Sequence, residues 1–358
     1  MKTALLYDRV NKWGGAERVL LALHEIFPEA PLFTAVYSPK KAKWARVFPE
    51  VIPTFLQKIP FLQDKHEFLG TFTPIAFETL DLSGYDLVIS VTSEAAKGVI
   101  TKPDTYHICY CLTPTRYLWS GHDIYFGDPL LRFISRPVVS YLRRWDKIAA
   151  QRPDKMIAIS TAVKKRIKKY YGRESEIIFP PVELNKFKLK NPGSNKRENF
   201  FLVVSRLVPY KRTELAISAF NELGLPLVVV GEGSEERRLK AMAKDNIEFV
   251  SQLTDAKLAD YYKKCVALIF PQEEDFGIVA LEAQAAGAPV IAFKAGGARD
   301  TVIDGKTGVF FDRQEKKSLV DAVNRFDKMN FDQKEIIKNA EKFSKERFKR
   351  EILELIKI

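Results

Sequence analysis

Strand-length apolar runs alternate with helix-period segments along most of this chain, and the alternation stops once and then starts again. The first run, Thr3-Ala-Leu-Leu-Tyr7, leads through Gly14-Gly15 into residues 16–27, where apolar side chains return at helical spacing. Further strands are expected at 86–91, 106–112, 155–160 and 176–179, with helices at about 130–150 and 161–171. Proline, glycine and asparagine then crowd residues 180–195 and the periodicity lapses, which marks a domain junction. The second series reads strand 200–205, helix 213–223, strand 227–230, helix 234–243, strand 247–250, helix 255–264, strand 266–270, helix 276–286 and strand 289–293. A charge-rich helical tail follows from about residue 315. Such alternation builds parallel sheets covered by helices, and 358 residues suffice for two of them. The expected fold class is α/β, with two Rossmann-like domains in tandem.

Composition narrows the setting. The apolar run after Met1 ends at Asp8 and Arg9, too short for a signal peptide, and no run reaches the roughly 18 residues of a membrane span. Three cysteines make no complete disulfide framework, so a cytoplasmic protein is expected. His107, Cys109 and Cys111 would share one face of a strand, but no fourth ligand and no zinc spacing accompany them, so no metal centre is expected. The net charge of +12 is uneven: residues 1–180 carry 26 basic against 18 acidic side chains, the rest 31 against 27. That excess suits an anionic partner, whether phosphates, a lipid surface or nucleic acid. No RNA-binding motif or zinc knuckle supports the last of these, and no nucleic-acid partner is expected.

In open parallel sheets, ligands bind beyond the carboxyl ends of the strands. Three such loops in the second series carry suitable chemistry. In 205–211, SRLVPYK, Arg206 and Lys211 stand at a strand end where two cations can clamp a diphosphate or simply solubilise a loop. In 229–233, VVGEG, Gly231 and Gly233 permit close backbone approach to a ligand, or a tight turn, but lack the third glycine of a dinucleotide fingerprint. In 274–290, EDFGIVALEAQAAGAPV, Gly277 begins a helix whose first amides, with Phe276, Ile278 and Val279, suit a phosphate. Glu274 before that helix and Glu282 inside it can accept hydrogen bonds from hydroxyls of one extended ligand. The alternative makes Glu282 an exposed helix residue and Glu274 a dipole-favoured acid near the first turn.

Taken in order, these motifs, together with 287–311, GAPVIAFKAGGARDTVIDGKTGVFF, resemble the donor-binding half of retaining family-four glycosyltransferases of the GT-B fold. The resemblance implies two Rossmann-like domains facing across a cleft: an acceptor domain at 1–182, a nucleotide-sugar donor domain at 183–340, and a C-terminal helix at 341–358 returning to the first. It implies that Arg206 and Lys211 bind the donor diphosphate, that Glu274 lies at the transferred sugar, and that Glu282 takes the ribose hydroxyls. Phe276 to Val279 would meet sugar and phosphates, and the loop with Ser251 and Leu253 would read the nucleobase. WGGAE at 13–17 looks like the family's glycine loop, placing Gly14 and Gly15 at the phosphates. CLTPTRYLW at 111–119, with PPV at 180–182, is similar to mannosyltransferases of O-antigen and exopolysaccharide assembly. Arg116, Tyr117 and Trp119 are then acceptor contacts, with packing as the other reading of the aromatics. Relatives often place histidine before Thr-Pro where this chain has Leu112, and His107, an odd offset away, faces the opposite side of a strand.

The implied reaction is retaining transfer from a nucleoside-diphosphate sugar, with GDP-mannose the best guess, to a glycan or lipid-linked glycan in cell-surface polysaccharide assembly. No cofactor is implied. The chain contains no Asp-x-Asp pair, so charge on the leaving diphosphate falls to Arg206, Lys211 and the helix amides without a metal. Residues 53–77 mix Phe55, Phe61, Phe68, Phe72 and Phe77 with Lys58, Lys65 and His66, and KKRIKK at 164–169 concentrates cations. Peripheral contact with an anionic membrane suits both segments, as do a packed loop and a solvated helix face. An epimerase or sugar phosphorylase on the same fold is the nearest rival. A dehydrogenase is disfavoured because neither first strand is followed by G-x-G-x-x-G.

Overall fold

The computed structural model describes residues 1–59, 70–122, 128–188 and 197–356. Phe61, Lys65, His66 and Phe68, and the junction residues 191–195, lie outside the described residues. The chain divides into two compact units, Met1–Pro180 with Lys349–Ile358, and Pro181–Phe348.

The first unit holds seven strands: β1 (Thr3–Tyr7), β2 (Leu32–Thr34), β3 (Val51–Pro53), β4 (Leu87–Thr92), β5 (Tyr106–Cys111), β6 (Lys155–Ala158) and β7 (Glu176–Ile177). They form one parallel sheet in the order β3-β2-β1-β4-β5-β6-β7. Every residue of β1 and β4 is buried, as expected of central strands covered on both faces. Ala4 and Leu6 of β1 and Val88 of β4 pack against Ala76 and Phe77 from the helix Thr73–Glu78. Near the end of the chain, Lys349 pairs with Glu25 at 3.0 Å on the helix Gly15–Ile26.

The second unit repeats the plan with β8 (Phe201–Val204), β9 (Leu227–Val230), β10 (Ile247–Val250), β11 (Leu268–Phe270), β12 (Val290–Phe293) and β13 (Gly308–Phe311). Their order is β10-β9-β8-β11-β12-β13, again all parallel. Phe201, Phe220 and Phe326 meet edge to face within its core, with centroids 5.1 and 6.2 Å apart around Phe201. Such ring pairs add about 0.5–1.5 kcal/mol beyond the area they bury.

The strand–helix alternation read from sequence misses β2, β3 and β13. β3 also carries Pro53, which is tolerated because β3 is the edge strand. Two expected boundaries move for local reasons. The strand expected to 160 stops at Ala158 because the Ser160 side chain caps the helix Thr161–Tyr171, accepting from the Val163 amide at 3.2 Å. The helix expected from 276 begins at Ile278 because Gly277, at φ 88°, breaks the right-handed path.

Candidate functional site

Both sheets reverse direction beside their first strand, so β1/β4 and β8/β11 flank the two switch points, where an open α/β sheet leaves a crevice. In the second unit, the loop after β8 tightens into a 3-10 turn, Pro209–Lys211, and passes through Arg212 in the left-handed region at φ 55° before the helix Thr213–Leu223. The turn gathers both predicted cations on Tyr210. Arg206 donates to the Tyr210 hydroxyl at 2.5 Å and lies over the ring, while Lys211 Nζ is 5.3 Å from the same centroid.

Lys211 reaches across to the loop after β11 and pairs with Glu274 Oε1, their side chains 12% and 22% exposed. Gln272, buried, donates to the same oxygen through Nε2 at 3.1 Å. Glu274 therefore sits in the loop, held by a cation and an amide, and is no first-turn dipole acid. Three residues on, Gly277 opens the helix Ile278–Ala285 without a side-chain cap. The first amides of any helix lack intrahelical acceptors, so Ile278 and Val279 present theirs beyond the strand end.

Close backbone packing fixes these loops. A side chain on Gly231, at φ 147°, would put Cβ 1.8 Å from the Ser205 carbonyl oxygen, and one on Gly233 would lie 2.2 Å from that of Leu207. Leu207 donates to the Glu232 carbonyl at 2.8 Å, tying the loops after β8 and β9 together. The glycines predicted to approach a ligand are thus required first by their neighbour loop. On the other side, Gly297 donates to the Glu274 carbonyl at 2.8 Å, and a Cβ there would lie 2.3 Å from Phe276. Gly296 and Gly297, in the loop after β12, and Gln272 shape the Glu274 loop and were not singled out from sequence. A Gly-Gly pair at a strand end was the available signal; Gln272 gave none.

Glu282 is 4% exposed, on the second turn of its helix, and accepts from the Tyr262 hydroxyl at 3.1 Å. The exposed-face reading fails. Tyr262 is itself wedged against Phe187, centroids 5.5 Å apart. Ser251 is exposed and Leu253 half-buried in the loop after β10, which turns through Gln252 at φ 55°.

The first unit treats its predicted residues differently. Gly14 is extended, Gly15 starts the first helix, and two residues on Glu17 is buried, accepting from the Tyr7 hydroxyl at 2.9 Å. Burial raises the Glu17 carboxyl above its ordinary value. Trp119 donates to Asp146 at 2.7 Å and stacks on Tyr170 at 5.0 Å, with Arg143 and Lys147 over its ring. Its geometry is that of a packing residue. Tyr117 and Arg116 are half-buried in the same loop, and burial raises the Tyr117 phenol. His107 lies buried in β5 with Nε2 2.9 Å from Ser90 Oγ, and burial lowers it to about 3. It is a neutral core residue. Burial likewise raises Cys109 to about 12, which makes it an inert thiol.

Two charged centres escaped the sequence reading. Asp8, directly after β1, accepts from the amides of Ser93, Glu94 and Ala96 and from the Thr92 hydroxyl, at 2.7–3.1 Å. Lys97 and Asp146 form an ion pair at 2.6 Å, 2% and 1% exposed, and Asp146 also accepts from Thr115 and Tyr171. Burial opposes the Lys97 charge, but the Asp146 carboxylate outweighs it and holds the ammonium above its ordinary pKa.

Residues 185–343, which contain every donor-site residue named in the second unit, match the family model described as glycosyl transferases group 1. The crystal structure of Anabaena HepE in complex with UDP overlays the whole chain at a TM-score of 0.74, with 19% identity and all of both chains covered, which defines the fold as GT-B. Among curated relatives, an uncharacterized glycosyltransferase of Methanocaldococcus jannaschii is 28% identical over 57% of this chain and 58% of its own. A D-inositol 3-phosphate glycosyltransferase of Acidothermus cellulolyticus is 28% identical over 50% and 46%. A GDP-mannose-dependent alpha-(1-6)-phosphatidylinositol monomannoside mannosyltransferase of Mycolicibacterium smegmatis is 33% identical over 34% and 36%. The chain spans about half the length of the curated relatives it matches.

Proposed function

We propose that the protein is a retaining glycosyltransferase of family four that moves mannose from GDP-mannose to a glycan or lipid-linked glycan in cell-surface polysaccharide assembly. The observation that carries the reading is the Lys211–Glu274 pair at the β8/β11 switch point, beside the uncapped helix start at Gly277. Without donor, Glu274 is the counter-ion of Lys211. A diphosphate seated at the Ile278 and Val279 amides draws Lys211 and Arg206 to its oxygens and frees Glu274 to take a sugar hydroxyl. As the glycosidic bond to phosphate breaks, negative charge grows on the leaving diphosphate, where the two cations and the helix amides stabilise it without a metal. Glu282, which accepts from the Tyr262 hydroxyl, takes the ribose hydroxyls. Choice of mannose rests on the 111–119 resemblance and on the printed name of the Mycolicibacterium relative.

A thermal-shift panel tests the donor, since a ligand that binds only the folded state raises its stability. GDP-mannose is expected to give the largest shift. A larger shift with UDP-glucose, which is bound in another HepE crystal structure, moves the assignment to a UDP-sugar. No shift with any nucleoside diphosphate sinks the reading. Turnover of donor without acceptor replaces it with an epimerase, and an inverted product anomer removes retention.

A further inference from the structure

The helix Pro129–Ala149 in the first unit divides its surface into three faces. Val139, Leu142, Asp146 and Ala149 are buried and fix it to the domain. Leu130, Ile134, Val138, Tyr141 and Ile148 recur at intervals of four, four, three and seven, the spacing of a single face. All five are exposed, Ile134 at 64% and Leu130 at 67%, with Phe133 at the margin of the stripe. Arg132, Arg136, Arg143 and Lys147, at intervals of four, seven and four, form the third face beside it, with Arg144 between the two.

A run of large aliphatic side chains facing water is a standing penalty unless something covers it. Charge identifies the cover. The helix carries five cations and one acid, and that acid, Asp146, is buried and engaged with Lys97. Its outward charge is therefore wholly positive. A second copy would set like charges against each other, and nucleic acid would leave the aliphatic stripe in water. Anionic lipid satisfies both faces: a helix lying in the interface sinks apolar residues roughly 5–10 Å to the acyl boundary while basic side chains meet the headgroups. The cations also keep it from spanning, and no helix among the described residues is long and apolar enough to cross a membrane.

We infer that the outward face of the helix Pro129–Ala149 is a docking surface for anionic lipid. This relocates the membrane contact. KKRIKK at 164–169 lies on the helix Thr161–Tyr171, whose apolar Val163 and Ile167 turn into the core, so it has nothing to insert. In 53–77, Phe77 is core, while Phe55 and Phe72 are exposed.

Flotation of the full chain with vesicles tests the surface independently of any transferase activity. The protein floats with vesicles of equimolar phosphatidylglycerol and phosphatidylcholine and not with phosphatidylcholine alone. Ile134→Ser with Tyr141→Ser lowers partitioning about tenfold or more, and Arg136→Glu with Arg144→Glu lowers it by at least about tenfold. Unfolding midpoints stay unchanged, because all four side chains are exposed. Val138→Asp gives the same reading should a double variant lose its fold. The inference is overturned if the wild type ignores anionic vesicles or if the apolar variant floats as well as the wild type. It is equally overturned if sedimentation velocity without lipid shows a dimer that Ile134→Ser with Tyr141→Ser dissociates.

Discussion

The two units lay down their first six strands in one order, and both open a crevice beside the first strand, but they furnish it in opposite ways. In the first unit, Asp8 fills the space after β1 by accepting from three amides and a hydroxyl of the loop after β4. Lys97, four residues into the same region, is buried against Asp146. In the second unit, the corresponding loops bring Lys211 and Glu274 together at partial exposure, with Arg206 beside them. Topology thus supplies the crevice twice, while side chains decide whether it closes on itself or awaits a ligand. A buried charge pair serves the fold in one unit, and a half-buried one, on the proposed function, serves substrate in the other.

The comparison breaks most directly at its two lysines. Lys97→Met leaves Asp146 buried without its cation and is expected to cost about 3–5 kcal/mol in urea unfolding. Lys211→Met at the half-buried pair should cost less, about 1 kcal/mol, yet lower kcat by about 100-fold or more through loss of charge stabilisation on the leaving diphosphate. Equal effects of the two changes on stability would remove the distinction between the units.

Within the second unit, Glu282→Ala is expected to weaken donor binding by about 1.5–3 kcal/mol in titration calorimetry, the worth of a hydrogen bond to a charged group. Glu274→Ala should mainly lower turnover. Unchanged donor affinity in Glu282→Ala would confine that carboxylate to a structural role.

The smallest effect concerns Glu17 in the first unit. Its folded-state pKa is raised by burial above the ordinary 4.5, so at intermediate pH the folded chain binds more protons than the unfolded one. Stability from this group is present below 4.5 and falls as pH rises through the folded value. Glu17→Gln, which keeps an acceptor for Tyr7, should flatten that fall, measured as the difference in Tm between the two proteins across the acid range.

Alternation and breakers made most of the architecture legible. β1, β4, β5, β9, β10, β11 and β12 lie within a residue or two of their expected positions, because each is a largely apolar run flanked by turn residues or helix-period segments. β2 and β3 were missed because no α-helix separates them, so the strand–helix alternation lapses there. Arg206, Lys211, Glu274 and the Gly277 helix start were legible as chemistry at strand ends. Their mutual arrangement was not, since Lys211 and Glu274 are 63 residues apart in sequence and meet only through sheet order. Gly231 and Gly233 show the converse: the motif was visible, but its packing demand, a backbone oxygen where Cβ would go, belongs to the neighbouring loop.

The membrane-facing expectation divides the same way. Sequence alone gave a basic first half and clustered cations, yet it could not say which apolar residues among them face water. KKRIKK and residues 53–77 were the candidates; burial of Val163 and Ile167 removed the apolar face of the first, while the helix Pro129–Ala149 kept five large side chains outside. Local pattern therefore determined the elements, the two-domain plan and the residue types at the strand ends, because those depend on periodicity and composition within one segment. Which charges are buried and which meet as a pair, and which apolar face stays uncovered, was decided by the tertiary structure, because each depends on what another distant segment places opposite.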